Sequence, residues 1–486
     1  MNRNIGSNRL PIVVAVVSAV AVLTAPWYPG SVSYYLLFQT ACGLLATAAF
    51  LPPVSHGYAA FAAFLMLGFW VKVVLATIGM DPRLEPIGAF NASGEAWDQA
   101  LAFSATGLVA VAVPKLLIAL RRSETRQVHP PVPLWFARAT RPVWVVTLLL
   151  VILGNAANCF GRFYMVGLHE VVVLPLRLNA LISWWLTWGA AIWIALLLGW
   201  ELRLGRSRLR TLVVAPIAEA AITSTIMLSR GAFLMKVLPY FLVFAHKRLR
   251  ERFAVNMKFV AALGAISIVL FGLTLISVSG LRLRLYPTLT IPKPKPLVVQ
   301  PGTPAPRSWT PEAYRRRFMT VQVRHMVLGR WIGLEGMLAV SAFPERSLSL
   351  WWRAMREDPN AGNSALYQRI ARARYEPNEG VTFLTVPGVI GAMAYSGSHT
   401  VLAITLICIS ALLIATEALA RRLFENEFLC AVVGVAGAYT LTQMNFPYLT
   451  GVFCVELWGT LLLLHVASRR PVDVFETAEV PAARQR

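Results

Sequence analysis

Charged side chains are scarce in this chain, at 14% of its 486 residues, and the acidic ones are the scarcer kind. Lys and Arg number 45 against 23 Asp and Glu. The five cysteines show no CxxC motif and no Cys/His spacing, which argues against a metal site and a disulfide framework. No phosphate-binding loop, dinucleotide fingerprint or hydrolase nucleophile elbow occurs. The sequence therefore predicts neither a metal nor a cofactor.

Apolar residues dominate instead, at 57% of the chain, and the mean hydropathy is +0.60. Apolar stretches of about 18 residues or more recur, which is typical of helices that cross a membrane. We predict an all-α, polytopic membrane protein with about twelve transmembrane helices. The predicted spans are 10–26, 32–51, 58–77, 99–120, 143–158, 179–200, 209–228, 232–246, 258–278, 399–418, 428–444 and 449–467.

The formal net charge of +22 comes from arginines gathered in short loops between alternate spans. Loops rich in Lys and Arg face the cytoplasm, and both termini are then predicted to be cytoplasmic. There is no platform of interleaved basic and aromatic residues, so we expect no nucleic-acid partner. The first apolar run, 11–25, is predicted to be a retained span rather than a signal peptide.

One long loop divides the chain. We expect spans one to nine in 1–279, a large external loop in 280–398, spans ten to twelve in 399–470 and a cytoplasmic tail in 471–486. The loop opens with a proline-rich strap, continues in a basic segment (312–340) with a helix-like pattern, and contains SLSLWWRAMRE (347–357). This last stretch predicts an amphipathic interfacial helix with Trp351 and Trp352 at the lipid headgroups.

Four ionisable residues lie inside predicted spans: Lys72, Glu219, Glu417 and Glu456. Such residues usually face the bundle interior and pair with one another. Lys72 and Glu417 lie where their side chains can extend to the interface. Glu219 is near the middle of its span and is either a structural ion-pair partner or part of a substrate cavity.

Arg230 stands in Ser229-Arg230-Gly231, at the predicted outer turn between two spans. An arginine there is costly near lipid, so it is expected to face a cavity or a ligand. The loop is also rich in arginine, including Arg324 and Arg330. These arginines form either a basic face on anionic headgroups or a clamp for pyrophosphate, whose oxygens suit the guanidinium fork. His325 is either a surface histidine or a catalytic one. Glu335 is an acid in an apolar context, and it either pairs with a nearby arginine or acts in catalysis.

This layout, with Ser-Arg-Gly at an outer turn and a large basic loop late in the chain, resembles the Wzy-type O-antigen and exopolysaccharide repeat-unit polymerases. RWIGLEG (330–336) and PGVIGAMAYSGS (387–398) are further local likenesses. The resemblance implies an enzyme of the bacterial inner membrane, similar to type C membrane glycosyltransferases. It implies polymerisation of repeat units linked to polyprenyl (undecaprenyl) pyrophosphate, without a nucleotide sugar or an essential metal. Membrane lipids and a chain-length regulator protein are the other partners it implies.

The resemblance also implies roles for individual residues. Arg230 matches the family's arginine at the outer turn, and Arg330 is the candidate for the loop arginine. Glu335 and His325 are candidate bases, and His399 is a third. The predicted substrate-binding residues are Arg324, Tyr395, His399 and Glu219.

Two other functions compete with this one. The first is that of an O-antigen ligase or another outer-face glycosyltransferase that uses polyprenyl-linked donors. O-antigen ligases resemble the same layout and place a histidine just after the large loop, where His399 stands. The stretch SGSHT lacks the His-Asn pairing typical of ligases. A flippase or transporter is the alternative from a different class. Its usual signs, an internal repeat or arginines in mid-span, do not occur in the sequence.

Overall fold

Helices form nearly all of the regular structure. The computed structural model describes residues 10–80, 85–121, 132–168, 172, 174–175, 178–204, 213–246, 255–285, 331–373 and 384–469. Helix accounts for 81% of these described residues, and no β-strand occurs among them. The prediction of an all-α fold is confirmed.

Within the described ranges, eight helices are long and apolar enough to cross a membrane. They are α2 (Val32–Phe50), α3 (His56–Thr77), α4 (Gly94–Leu120), α6 (Thr140–Gly161), α7 (Leu178–Arg203), α10 (Met257–Leu285), α15 (His399–Phe424) and α17 (Pro447–Arg469). Two of them contain a π-helical turn, Met66–Val71 in α3 and Trp185–Gly189 in α7. The chain is therefore a multi-pass membrane protein.

Shorter helices complete the described ranges. Those that coincide with predicted spans are α1 (Leu10–Thr24), α8 (Val214–Ile226), α9 (Arg230–Ala245) and α16 (Glu427–Thr442). The others are α5 (Leu134–Arg138), α11 (Leu334–Ser341), α12 (Leu348–Met355), α13 (Leu366–Ile370) and α14 (Gly388–Met393). Turns of 3₁₀ helix are Ala25–Trp27, Pro359–Ser364 and Ala394–Ser396.

A helix occupies each stretch predicted as a span, but the number of true crossings stays a prediction because four of these helices are short. A helix, α12, is present where the amphipathic interfacial helix is predicted, with Trp352 half exposed, and its place at the lipid headgroups stays a prediction. The described part of the basic segment 312–340 contains a helix that begins at Leu334, and residues 312–330 lie outside the described ranges.

Local sequence explains where several helices begin. Ser55, Ser93, Ser229 and Ser398 each accept a hydrogen bond from a backbone N–H in the first turn of the following helix. Such caps satisfy donors that a helix leaves without an internal partner. Asn426 does the same for α16. The spans themselves are apolar on all sides, as expected where lipid replaces water on the outer surface.

Burial separates the spans into a centre and a periphery. In α4 and α7, 61% of the most apolar window is buried, against 17% in α10 and α17 and 22% in α6. The peripheral helices expose leucine, isoleucine and valine side chains on their outer faces. We infer that α6, α10 and α17 face lipid, while α3, α4, α7 and α16 form the core of the bundle.

Contacts between helices fix which of their ends lie together. The carboxylate of Glu417, near the end of α15, accepts from the backbone N–H groups of His56 and Gly57 at 3.0 and 2.7 Å, at the start of α3. Helix α4 runs parallel to α15, because Phe103 stacks on His399 and Val111 O accepts from Ser410 Oγ at 2.9 Å. The starts of α4 and α15 are therefore at the end where α3 finishes.

Helix α9 begins at that same end. It runs antiparallel to α16, because Gly231 approaches the Tyr439 hydroxyl while the rings of Phe244 and Phe428 lie 5.7 Å apart. Helix α16 in turn runs parallel to α3, with Gly434 against Gly57. Arg230 and His399 thus lie at one end of the bundle, called here the Arg230 end. The opposite end carries Arg421 and is called the Arg421 end.

Two short segments of the long loop enter the bundle from the Arg230 end. All residues of α11 and α14 are buried. A Cβ at Gly68, in the π-helical turn of α3, would clash with the carbonyl oxygen of Ile332, and one at Gly336 would clash with that of Pro387. Glycine is required at both positions because the backbones approach so closely. The loop is therefore packed into the bundle at α11 and α14.

Candidate functional site

A polar site lies at the Arg230 end, between the start of α15 and the turn that joins α11 to α12. Its centre is Phe103 of α4, whose ring stacks on His399 at 4.0 Å and lies 5.0 Å from the guanidinium carbon of Arg346. Phe103 is buried, while the imidazole of His399 is exposed. One apolar ring therefore contacts both a cation and an imidazole.

Arg346 is held by two of its nitrogen atoms. Nε donates to Phe343 O at 3.1 Å. When the Gln99 amide is oriented so that its nitrogen donates to Ser341 O at 3.0 Å, its oxygen accepts from Nη2 at 2.7 Å. Nη1 is buried without a partner among the described residues. Burial lowers the pKa of Arg346, but a guanidinium still carries its charge at neutral pH. Nη1 is thus a charged donor that lacks an acceptor.

A hydrogen bond of His399 bears on its tautomer. Its Nδ1 lies 2.9 Å from the Thr106 hydroxyl, which also lies 3.0 Å from Ala102 O. When the hydroxyl donates to Ala102 O, its oxygen accepts from Nδ1, and Nδ1 then carries the hydrogen of the neutral imidazole. Nε2 is left with its lone pair, as a general base requires. Arg346, whose Nη1 has no partner among the described residues, contacts the same ring and is within electrostatic reach of this exposed base.

Arg230 is at the first position of α9, after the cap Ser229, whose hydroxyl accepts from Ala232 N at 3.3 Å. Leu228 has a left-handed backbone, with φ of 55°. Its carbonyl accepts from Nε and Nη2 of Arg282 at 3.0 and 2.7 Å. Two arginines and the positive end of a helix therefore meet at this turn, which favours an anion there. Arg230 itself is half-buried.

Glu335 does not lie in an exposed position. It is 3% exposed, and both of its oxygens accept from Lys72 Nζ at 2.6 Å. The expectation that an arginine pairs with Glu335 is wrong, because its described partner is the lysine Lys72. A carboxylate bound in this way ties α11 to α3 directly after the π-helical turn of α3. It is poorly placed to take a proton from a substrate at the surface.

The expectation that Lys72 and Glu417 extend to the interface is also wrong. Each is 1% exposed. Glu417 accepts from Ser55 Oγ at 2.7 Å and from Arg421 Nη2 at 3.1 Å, in addition to the two backbone N–H groups of α3. It caps α3 from another helix, which explains an acid there structurally. Glu456 was expected to face the bundle interior, but it is exposed on α17.

Glu219 pairs with Lys236, whose Nζ lies 2.5 Å from Glu219 Oε1 and 2.6 Å from Leu186 O. Both residues are buried. The ion-pair interpretation of Glu219 is therefore correct, and a role in substrate binding stays a prediction. Tyr395 is 2% exposed, and burial raises its pKa well above the usual range. Its backbone oxygen accepts from Ser347 N at 3.0 Å, next to Arg346.

Arg324, His325 and Arg330 lie outside the described residues, so their predicted roles stay predictions. No sequence pattern singled out Arg346, Lys236 or Lys115, although the last two are lysines within apolar runs. Among the residues with described positions, no group of three His, Cys, Asp or Glu side chains is placed to bind a metal ion.

No protein-family model, curated protein or solved structure matches this chain. A function must therefore be inferred from the site itself.

Proposed function

We propose that the protein polymerises oligosaccharide repeat units carried on polyprenyl pyrophosphate, at the outer face of the bacterial inner membrane. The observation that supports this is the pairing of Arg346 and His399 on Phe103 at the Arg230 end. Transfer from a lipid pyrophosphate needs a cation for the leaving group and a base for the acceptor. Arg346 offers a guanidinium nitrogen that has no partner among the described residues, and His399 offers an imidazole with a free lone pair, so the two side chains together meet both needs.

In this proposal His399 Nε2 takes the proton from the attacking hydroxyl of the acceptor sugar. The acceptor oxygen forms a bond to the anomeric carbon of the donor, and the bond from that carbon to the pyrophosphate oxygen breaks. Negative charge grows on the leaving polyprenyl pyrophosphate. Arg346 Nη1 stabilises that charge, and it does so more strongly in the transition state than in the ground state.

Arg230 is the second cation in the proposal. It lies at the same end of the bundle as His399, at a turn where Arg282 adds positive charge. A pyrophosphate has two phosphoryl groups, so a reaction between two lipid-linked substrates benefits from more than one arginine. Arg230 is assigned to binding of lipid-linked pyrophosphate, and Arg324 and Arg330 stay candidates for the same task. Glu335 is assigned a positioning role because of its bond to Lys72.

A ligase is the second candidate, and the position of His399 favours it. This histidine is exposed at the start of α15, directly after the long loop, as in the ligases that the layout resembles. A ligase uses the same donor but passes the glycan to a different acceptor, such as a lipopolysaccharide core. The site chemistry is shared, so the products must separate the two functions.

The test uses purified protein and a polyprenyl-pyrophosphate-linked repeat unit as the sole substrate, with a chelator and without nucleotide sugar. The polymerase proposal expects a ladder of lipid-linked products spaced by one repeat, since donor and acceptor are the same kind of molecule. Arg346→Gln and His399→Ala should each remove the ladder. Arg422→Gln is the matched control, because Arg422 is an exposed arginine at the Arg421 end.

Each alternative gives another outcome. A ligase makes no ladder until a separate acceptor is added, and a flippase or transporter makes no product with either. A ladder that survives in both site variants would place the chemistry elsewhere. Failure to form any product from authentic substrate contradicts the polymerase proposal.

A further inference from the structure

A second polar cluster lies inside the bundle, between α6, α7, α8 and α9. Its members, called here the Glu219 cluster, are Asn155, Glu219, Thr223, Lys236 and Tyr240. Each is at least 96% buried. Asn155 Nδ2 donates to Thr223 Oγ1 at 3.1 Å, and that hydroxyl donates to Glu219 Oε1 at 2.8 Å. Lys236 Nζ donates to the same carboxylate oxygen and to Leu186 O, in the π-helical turn of α7.

Three polar atoms of this cluster have no hydrogen-bond partner among the described residues. They are Glu219 Oε2, Asn155 Oδ1 and the Tyr240 hydroxyl. Tyr240 is one helical turn from Lys236 on the same face of α9 and within electrostatic reach of Glu219. Leaving a buried polar atom unpaired is costly, and three such atoms around one ion pair are exceptional. A ligand that pairs with them would remove this cost.

The chemistry of the three atoms defines the ligand. Glu219 Oε2 and Asn155 Oδ1 only accept, whereas the Tyr240 hydroxyl both donates and accepts. A cation is disfavoured by the ammonium group of Lys236, and an anion by the carboxylate of Glu219. A neutral molecule with hydroxyl groups fits, because a hydroxyl donates to the two acceptors and pairs with the tyrosine in either direction.

We propose that the Glu219 cluster is an internal binding site for hydroxyl groups, either those of water or those of a sugar. The cluster lies below the Arg230 turn, since Lys236 is six residues into the helix that Arg230 begins, roughly 9 Å along its axis. In this proposal a hydroxylated ligand enters from the Arg230 end. The sugar alternative rests on the proposed function, whereas the water alternative does not.

Thiol accessibility tests the proposal on the full chain. Thr223→Cys is made in a background with the five native cysteines replaced by alanine and treated with a methanethiosulfonate that carries an ethylammonium group. The thiolate attacks the reagent, a mixed disulfide forms and methanesulfinate leaves. Ser410→Cys is the matched control, because Ser410 is equally buried but lies outside the Glu219 cluster, with its hydroxyl donating to Val111 O at 2.9 Å.

We expect the thiol of the Thr223→Cys variant to react on the order of ten-fold faster than that of Ser410→Cys, because a thiolate forms only where water reaches it. Equal, slow reaction in both variants would overturn the proposal. Addition of the lipid-linked repeat unit then separates the two ligands. Protection of position 223 identifies a sugar hydroxyl, and an unchanged rate identifies water alone. A missing polymer ladder with fast reaction at position 223 contradicts the proposed function and leaves this site standing.

Tyr240→Phe gives an independent readout that needs no cysteine. If the hydroxyl pairs with a ligand or with water, its removal breaks a hydrogen bond, and the Tm of the purified protein falls. If the hydroxyl is unpaired, its removal relieves a buried polar group, and the Tm rises. A higher Tm for Tyr240→Phe therefore contradicts the proposal, even where Thr223→Cys fails to fold.

Discussion

Breaking the bond between Lys72 and Glu335 should destabilise the protein more than any change at its surface. The Lys72 ammonium is 1% exposed and has both oxygens of Glu335 at 2.6 Å. Glu335→Met leaves that ammonium buried without a counter-charge. Removal of one partner of a buried pair costs about 3–5 kcal/mol, whereas replacing both by apolar residues of similar volume is often neutral. We expect each single variant to lose that much and Lys72→Met/Glu335→Met to lose about 1 kcal/mol or less.

The free energy of unfolding can be measured by steric trapping in lipid bicelles, with the two single variants and the double variant forming a double-mutant cycle. Independent contributions would make the double variant about 6–10 kcal/mol less stable, the sum of the two single losses. That additive result would contradict the expected coupling. Single losses within the roughly 0.5 kcal/mol typical of surface substitutions would contradict it too.

Polymer formation by the double variant separates positioning from catalysis at Glu335. If the carboxylate only fastens α11 to α3, the double variant restores the fold and should recover activity. If Glu335 takes the proton in the reaction, the double variant folds and stays inactive. The first outcome is expected, because both oxygens are engaged by Lys72 away from the surface.

Three other predictions concern the topology, the turn and the packed loop. Alkaline phosphatase fused at residue 300 should be active and at residue 250 inactive; the reverse would place Arg230 in the cytoplasm. Arg230→Ala should lower polymer formation about 100-fold at an unchanged protein level, as loss of a charged donor to a developing anion does, and Arg230→Lys should recover part of it. Full activity in Arg230→Ala would make this arginine a headgroup anchor. Gly336→Val should lower the Tm and the yield of folded protein, since a Cβ there would clash with the carbonyl oxygen of Pro387, and unchanged stability would contradict the packing of α11.

The helices could be predicted from sequence because the length of an apolar stretch is a local property. A helix lies at each predicted span, and the helices that Ser229 and Ser398 cap begin within two residues of the predicted starts at 232 and 399. Partners across the bundle could not be found in this way. Lys72 and Glu335 are 263 positions apart, and no local pattern joins them. Each of the two residues is nevertheless unusual for its apolar surroundings. Because their charges are opposite, Lys72 and Glu335 could have been predicted to pair.

The candidate site was only partly predictable, for a related reason. His399 was identified by its place after the loop, and Arg230 by its place at a turn. Arg346 is one of many loop arginines, and nothing in the sequence distinguishes it. Two features distinguish it: its guanidinium packs over the Phe103 ring, and its Nη1 has no acceptor among the described residues. Both features depend on how the turn after α11 packs on α4. The sequence of the loop likewise did not predict that α11 and α14 are buried inside the bundle.

The proposed chemistry at Arg346 and His399 can be measured as the release of polyprenyl pyrophosphate in a single turnover. The lipid product is measured alongside binding of the donor, for the wild type, Arg346→Gln and His399→Ala. We predict one polyprenyl pyrophosphate for each glycosidic bond in the wild type. Release should slow by about 100-fold or more in both variants, with donor binding much less affected, because both groups act mainly in the transition state. Wild-type rates of release in both variants, or equal losses of binding and release, would contradict the proposal.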